Sequence, residues 1–158
     1  MTGSTLTNAV GGFLSGAGTV SNILVNLGQV TATNGELRLA NGLSGNGVYR
    51  AVAGGVGGTL TFANGGSISA LFNTGATVRI EGPLTNAVSF VNQGTVSLAG
   101  GTYHSTAAFN NPVGSVVSGF GTITPNLTSS GTITLTGVGV TFAGSVTNSG
   151  MFSIGASS

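Results

Sequence analysis

Apolar and small polar residues alternate along most of the chain, and many of the alternating runs open on a glycine. The clearest are Gly94–Leu98, which reads GTVSL, and Gly131–Leu135, which reads GTITL. Alternation places successive side chains on opposite faces of an extended chain. Each run therefore predicts a short β-strand with its apolar side chains on one face and its hydroxyl groups on the other.

The alternating unit recurs, and its opening glycine serves as a marker. A second Gly or Pro turn follows each marker and opens another short strand, while an apolar residue precedes the marker and an Asn or Ser often lies two places before it, as Asn92 and Asn148 do. Steps between markers run from 17 to 23 residues and average about 19, a period typical of solenoid repeats. The markers are Gly18, Gly35, Gly58, Gly75, Gly94, Gly114, Gly131 and Gly150.

This pattern predicts an all-β fold, a parallel β-solenoid (β-helix) that is triangular, with about 8 coils of about 19 residues. We expect one solenoid domain over residues 1–158. The longest step, from Gly35 to Gly58, predicts a corner-loop expansion within residues 41–57. Helix is not expected, because Gly, Thr, Ser, Asn and Val are poor helix formers. An antiparallel β-sandwich is the alternative, since its strands also alternate.

Charged residues are scarce, and their scarcity limits the kinds of partner that the chain is expected to bind. Only 3% of residues are charged, whereas nucleic-acid binding needs clustered Lys and Arg and adsorption to anionic lipid needs a basic patch. No apolar run approaches the roughly 20 residues of a membrane span, and the first residues lack the features of a signal peptide. We expect no nucleic-acid partner and no membrane insertion. The charged residues are Glu36, Arg38, Arg50, Arg79 and Glu81.

Groups that carry catalysis or bind metals are few. Glu36 and Glu81 lie about 2.5 units apart, so we expect more than about 10 Å between them, too far for a paired-carboxylate site. His104 is the single histidine and has no acidic neighbour to orient it. Cys and Asp are missing from the sequence, and Gly54–Gly58 lacks the lysine of a phosphate-binding loop. We expect no enzymatic activity, no metal and no cofactor.

The outward positions of the marker strands carry a partial ladder of hydroxyl groups. Regular Thr arrays on flat solenoids resemble ice-binding faces, so an ice- or glycan-binding solenoid is the alternative function. Glu36, Arg38, Val117 and Met151 are expected to interrupt the array, and the first two are predicted to form a small ion-pair cluster with Arg79 and Glu81. The ladder residues are Thr59, Thr61, Thr95, Ser97, Thr132 and Thr134.

Several units resemble those of a known class of proteins. Asn92–Val96 reads NQGTV, Ser129–Ile133 reads SSGTI, Asn148–Phe152 reads NSGMF and Gly119–Thr124 reads GFGTIT. They resemble the Asn-x-Gly-Thr-Ile/Val repeats of filamentous-haemagglutinin-type exoproteins and autotransporter passenger domains of bacterial surfaces, over most of residues 16–154. The resemblance implies a right-handed β-helical stalk outside the cell, serving as an adhesin or a matrix component.

Neither end of the sequence shows a polar cap of the kind that keeps a solenoid monomeric. Exposed end coils would present unpaired strand edges to another chain. We therefore expect a self-associating structural protein, a fibre subunit or adhesin stalk segment that polymerises head to tail at the extracellular or cell surface. Its main partner would be itself, with surface glycans as a second class of partner.

Overall fold

The computed structural model describes residues 4–155, and these contain 18 β-strands and no helix. Each pairing between the described strands is parallel, as in β1 (Thr5–Asn8) against β3 (Ile23–Asn26). The chain forms a β-solenoid of about 8 turns of roughly 19 residues. The predicted solenoid is thus confirmed, and the antiparallel sandwich is excluded. Residues 1–3, where no signal peptide is expected, and 156–158 lie outside the described part.

Each coil lays one strand on each of three faces, which we number in chain order. Six long strands turn a corner without a break. From face 2 to face 3 run β2 (Phe13–Val20), β4 (Gln29–Leu39) and β9 (Ala70–Ile80). From face 3 to face 1 run β12 (Gln93–His104), β14 (Val116–Ile123) and β16 (Thr132–Phe142). The predicted triangular coil therefore matches the observed pairings.

The remaining strands occupy single faces. Face 1 also holds β1, β3, β5 (Leu43–Ser44), β8 (Gly66–Ile68) and β10 (Pro83–Asn86). Face 2 also holds β6 (Val48–Val52), β11 (Phe90–Val91), β13 (Phe109–Asn111), β15 (Leu127–Ser129) and β17 (Val146–Asn148). Face 3 also holds β7 (Gly58–Phe62) and β18 (Met151–Ile154). Each face thus stacks eight rungs between residues 5 and 154.

The core fills the centre of the triangle with columns of apolar side chains. On face 3, Leu60, Val78 and Val96 follow one another in register and are buried. An aromatic cluster joins faces 1 and 2, where the ring centroids of Phe90, Phe109 and Tyr103 lie 5.3 to 6.1 Å apart. Because each rung covers the next, burial of this kind needs neighbouring coils and not a single one.

A column of buried amides lines the corner between faces 2 and 3. The Nδ2 of Asn73 donates to Oδ1 of Asn92, whose Nδ2 donates to Oδ1 of Asn111 at 2.8 Å, and the Nδ2 of Asn111 donates to Oγ of Ser129 at 3.0 Å. Three members, Asn73, Asn92 and Ser129, lie two residues before a marker glycine. We call these four residues the asparagine ladder.

The widest corner joins β6 to β7. Leu37 pairs with Leu60, 23 positions later, whereas Leu60 pairs with Val78 after 18 positions. The extra residues form the exposed corner Ala53–Gly57, in which the N–H of Gly57 donates to the carbonyl of Gly54. This corner lies inside the segment 41–57, where the sequence predicts the expansion.

Candidate functional site

Face 3 carries two outward columns, one on each side of the inward side chains. The first column starts at Glu36 and the second at Thr19. In rung order the first column is Glu36, Thr59, Thr77, Thr95, Val116, Thr132 and Met151. The second is Thr19, Arg38, Thr61, Arg79, Ser97, Ser118, Thr134 and Ser153.

All six predicted ladder residues lie in these columns, three in each. Thr77 stands between Thr59 and Thr95, and Ser118 stands between Ser97 and Thr134. Sequence reasoning missed both, because the rungs that open at Gly75 and Gly114 each carry one additional residue before the alternation begins. In both rungs the residue directly after the marker glycine, Ala76 or Ser115, is buried, and the outward residue follows one position later.

The expectation that Val117 interrupts the hydroxyl array is wrong. Val117 is buried in the core, in register with Val96 and Ile133, and Val116 takes the outward place. Ser115 is the extra residue that causes the shift, and its buried hydroxyl donates to the carbonyl of Asn92 at 2.7 Å. A shift of one residue exchanges the two faces of a strand.

Thr61 occupies an outward position but is fully buried. Its Oγ1 donates to Oε1 of Glu36 at 2.6 Å, and the long side chains of its column neighbours Arg38 and Arg79 flank it. The hydroxyl ladder is therefore interrupted at this rung. The longest unbroken run of threonines in the first column is Thr59, Thr77 and Thr95, and each of these side chains is half-buried.

The predicted ion-pair cluster is present on face 3. Arg38 donates through Nη1 and Nη2 to the two carboxylate oxygens of Glu81, at 3.0 and 2.6 Å. The Nε of Arg79 donates to the same carboxylate at 2.8 Å, and Glu36 lies 3.9 Å from Nη1 of Arg38. The hydrogen bonds from Arg38 and then Arg79 lower the pKa of Glu81 to about 2.

The expected separation of the two glutamates by more than about 10 Å is wrong. Both carboxylates contact Nη1 of Arg38, at 3.9 and 3.0 Å, because the arginine side chain spans the rungs between them. The lowered pKa holds Glu81 ionised, and a general acid in a glycosidase needs the opposite shift.

Face 2 carries a cation over an aromatic ring. The guanidinium carbon of Arg50 lies 4.6 Å from the ring centroid of Phe72. A cleft of about 290 Å³, bounded by Phe72, Val88, Val91 and Gln93, opens beside that ring. Its volume lies at the lower limit of small-molecule sites, which are roughly 300 to 1,000 Å³. Arg50 is not among the residues that bound the cleft, so the charge and the cleft do not form one site.

The other candidates from the sequence, His104 and Gly54–Gly58, take no part in the ion-pair cluster. His104 is exposed on face 1, with Nδ1 2.8 Å from Oγ1 of Thr124. Gly54–Gly58 spans the wide corner and opens β7, where the N–H of Gly55 donates to Oδ1 of Asn34. Between residues 4 and 155 there is no group of three or more His, Asp or Glu placed to hold a metal ion. The same residues include no helix that could cross a membrane.

The first and last described rungs expose core-type side chains. At one end of the rod Leu6 is partly exposed, and at the other Phe152 and Ile154 are exposed, the latter by 75%. Each belongs to an inward column, as the pairings Leu6–Leu24, Ile133–Phe152 and Leu135–Ile154 show. No protein-family model matches this chain, and neither does any curated protein or solved structure.

Proposed function

We propose that this chain is a structural protein that polymerises end to end into a solenoid fibre or stalk at the extracellular surface or in the matrix. The observation that carries the proposal is the apolar character of the two end rungs. At one end Ile154 and Phe152 are 75% and 43% exposed, and at the other Leu6 is 38% exposed. A solenoid monomer normally closes such ends with polar caps. A second copy that stacked there would bury these side chains and pair the free strand edges.

The low charge of the rod supports the same proposal. All five charged residues lie between positions 36 and 81, so neither end rung carries one. Stacking therefore desolvates no charged side chain, and desolvation of a charge would otherwise oppose association. Head-to-tail contact between unlike ends that continues along one axis does not close into a ring, and it generates filaments.

The test is the assembly state of the purified chain, measured by sedimentation velocity and negative-stain electron microscopy across a concentration series. We expect unbranched fibres at neutral pH. Ile154→Lys should abolish them, because a lysine at the joint would have to be desolvated. Val56→Lys is the matched control, since Val56 is 84% exposed in the wide corner. A chain that stays monomeric throughout the series would refute the proposal.

The surface location is tested separately, because it derives from the sequence resemblance. Antibody labelling of intact producing cells should detect the chain without permeabilisation. Signal that appears only after permeabilisation would contradict the surface location and leave end-to-end assembly to its own test.

A second candidate function, ice or glycan binding, is favoured by one observation. Thr59, Thr77 and Thr95 form three consecutive threonines in register on face 3. Inhibition of ice recrystallisation and glycan-array binding are the assays. Thr77→Lys should remove either activity, while Thr128→Lys, at an exposed outward position of face 2, should not. A wild-type chain inactive in both assays would eliminate this candidate.

A further inference from the structure

The two end rungs can be compared position by position, because each contributes one strand to each of the three faces. The last described rung consists of residues 140–142 on face 1, β17 on face 2 and β18 on face 3. The first consists of β1 on face 1 and the two halves of β2 on faces 2 and 3. A copy stacked on the last rung therefore continues the order of faces that each coil follows.

The inward side chains of these rungs differ in size in a complementary way. The last rung carries two phenylalanines, Phe142 and Phe152, whose ring centroids lie 6.4 Å apart. The first rung carries Gly18 in the column of Leu37 and Phe152. Apart from its two chain neighbours, a Cβ placed on Gly18 would meet no atom of residues 4–155 within 4 Å. One end is therefore bulky where the other has open space.

We propose that a second copy of the chain docks on the last rung in one register, which places Phe152 in the space over Gly18 of that copy. The same register aligns three further columns, which pair Phe142 with Leu6, Val146 with Leu14 and Ile154 with Val20. The inference rests on the proposed end-to-end assembly, and it specifies the partner surface and the register of the joint.

Contacts between like ends fit less well. Two last rungs brought together would oppose Phe152 to a second bulky apolar rung, and two first rungs would leave the space over Gly18 empty. Unfilled space in an apolar contact loses dispersion energy, and overpacking costs strain. The head-to-tail arrangement avoids both. It also keeps the strands parallel across the joint, as they are between all other described rungs.

The register predicts a dimension of the fibre. If the joint is one more parallel rung, each copy adds eight rungs at about 4.8 Å, or about 38 Å along the axis. Cryo-electron microscopy of the fibres should give this rise per subunit. A rise longer by one or more rung spacings would mean that the ends do not meet directly, and it would overturn the joint.

Engineered cysteines test the register directly, since the chain has none of its own. Thr19 and Ser153 share an outward column of face 3, so the joint brings Thr19→Cys of one copy beside Ser153→Cys of the next. Their Cα atoms would lie about 5 Å apart, within the range that a disulfide spans. Mild oxidation of this double variant should give a ladder of covalent oligomers on a non-reducing gel.

The matched control moves one cysteine by two residues along the strand. Ala17→Cys with Ser153→Cys would separate the Cα atoms by about 8 Å, beyond the reach of a disulfide, so we expect little cross-linking. If fibres form but the displaced pair cross-links better, the register is wrong and end-to-end assembly stands. If Ser153→Cys alone yields dimers as fast as the double variant yields its ladder, the ends meet like to like. If the parent chain never assembles, both the joint and the proposed function fail.

A size variant provides the second readout. Phe152→Ala should raise the critical concentration for assembly at least tenfold, because the space over Gly18 would stay empty. Phe72→Ala is the control, since Phe72 is exposed to the same extent, 43%, but lies on the side of the rod. Equal critical concentrations for the two variants would overturn the proposed packing.

Discussion

The asparagine ladder makes a quantitative prediction about stability. The side chain of Asn92 makes four hydrogen bonds, and Asn92→Ala removes all of them. Its Oδ1 accepts from Asn73 Nδ2 and from the N–H of Gly94. Its Nδ2 donates to Asn111 Oδ1 and to the carbonyl of Val116. A net contribution of about 0.5 to 1.5 kcal/mol for each bond gives about 4 kcal/mol for the four. Because the site is buried, water cannot take over the freed groups, and we expect the full loss.

The assay is urea unfolding followed by circular dichroism, with amide hydrogen exchange as a second probe. Two probes are needed because a solenoid can open at one weakened coil before the rest unfolds. Asn110→Ala is the matched control: Asn110 is the neighbouring residue, half-buried at an outward position. We expect a change within about 0.5 kcal/mol for it. If the two variants lose similar free energy, the ladder does not stabilise the fold as argued.

Three further predictions concern titration and backbone geometry. Burial raises the pKa of Tyr103 to about 12. Its contribution to stability should therefore be full below about pH 10 and fall as the pH rises to 12, and phenolate absorbance should appear only above pH 10. Ionisation near pH 10 in the folded protein would contradict this. The pKa of Glu81, lowered to about 2, should rise in Arg38→Gln when measured by NMR, and its stabilising effect should vanish as pH falls from 4.5 to 2; an unchanged pKa would refute the ion-pair geometry. Gly119→Ala should destabilise the fold by several kcal/mol in urea unfolding, because φ is +98° and the new Cβ would clash with a carbonyl of the preceding rung. Gly42→Ala, with open space around it, is the control. Equal losses of free energy in the two variants would refute the steric argument.

Most of the fold could be predicted from the period of the repeat. A marker glycine followed at once by alternation placed Val96 and Leu98 in the core and Thr95 and Ser97 outside, as the structure has them. Alternation has no tolerance for an extra residue, so Ser115 was enough to exchange the inside and outside of its rung. The sequence indicated the wide corner only through the long step between the marker glycines Gly35 and Gly58.

The candidate site was predicted less completely, for a different reason. The ion-pair cluster followed from placing Glu36, Arg38, Arg79 and Glu81 on one face, but the distance between the glutamates did not, because backbone spacing ignores the reach of a side chain. The hydrogen bonds of the asparagine ladder were likewise out of reach. A sequence pattern shows that an amide recurs at a corner, and only coordinates show which groups it joins.

The wide corner at Ala53–Gly57 has a consequence for how such a rod can change. Leu37 still pairs with Leu60, and Leu60 with Val78, so the added residues do not disturb the rungs on either side. The entropy of closing a flexible loop grows slowly, by about 0.6 kcal/mol for each doubling of its length. This corner is therefore a site at which evolution or a protein engineer can graft a foreign peptide, displayed on the side of the rod without rebuilding its interior.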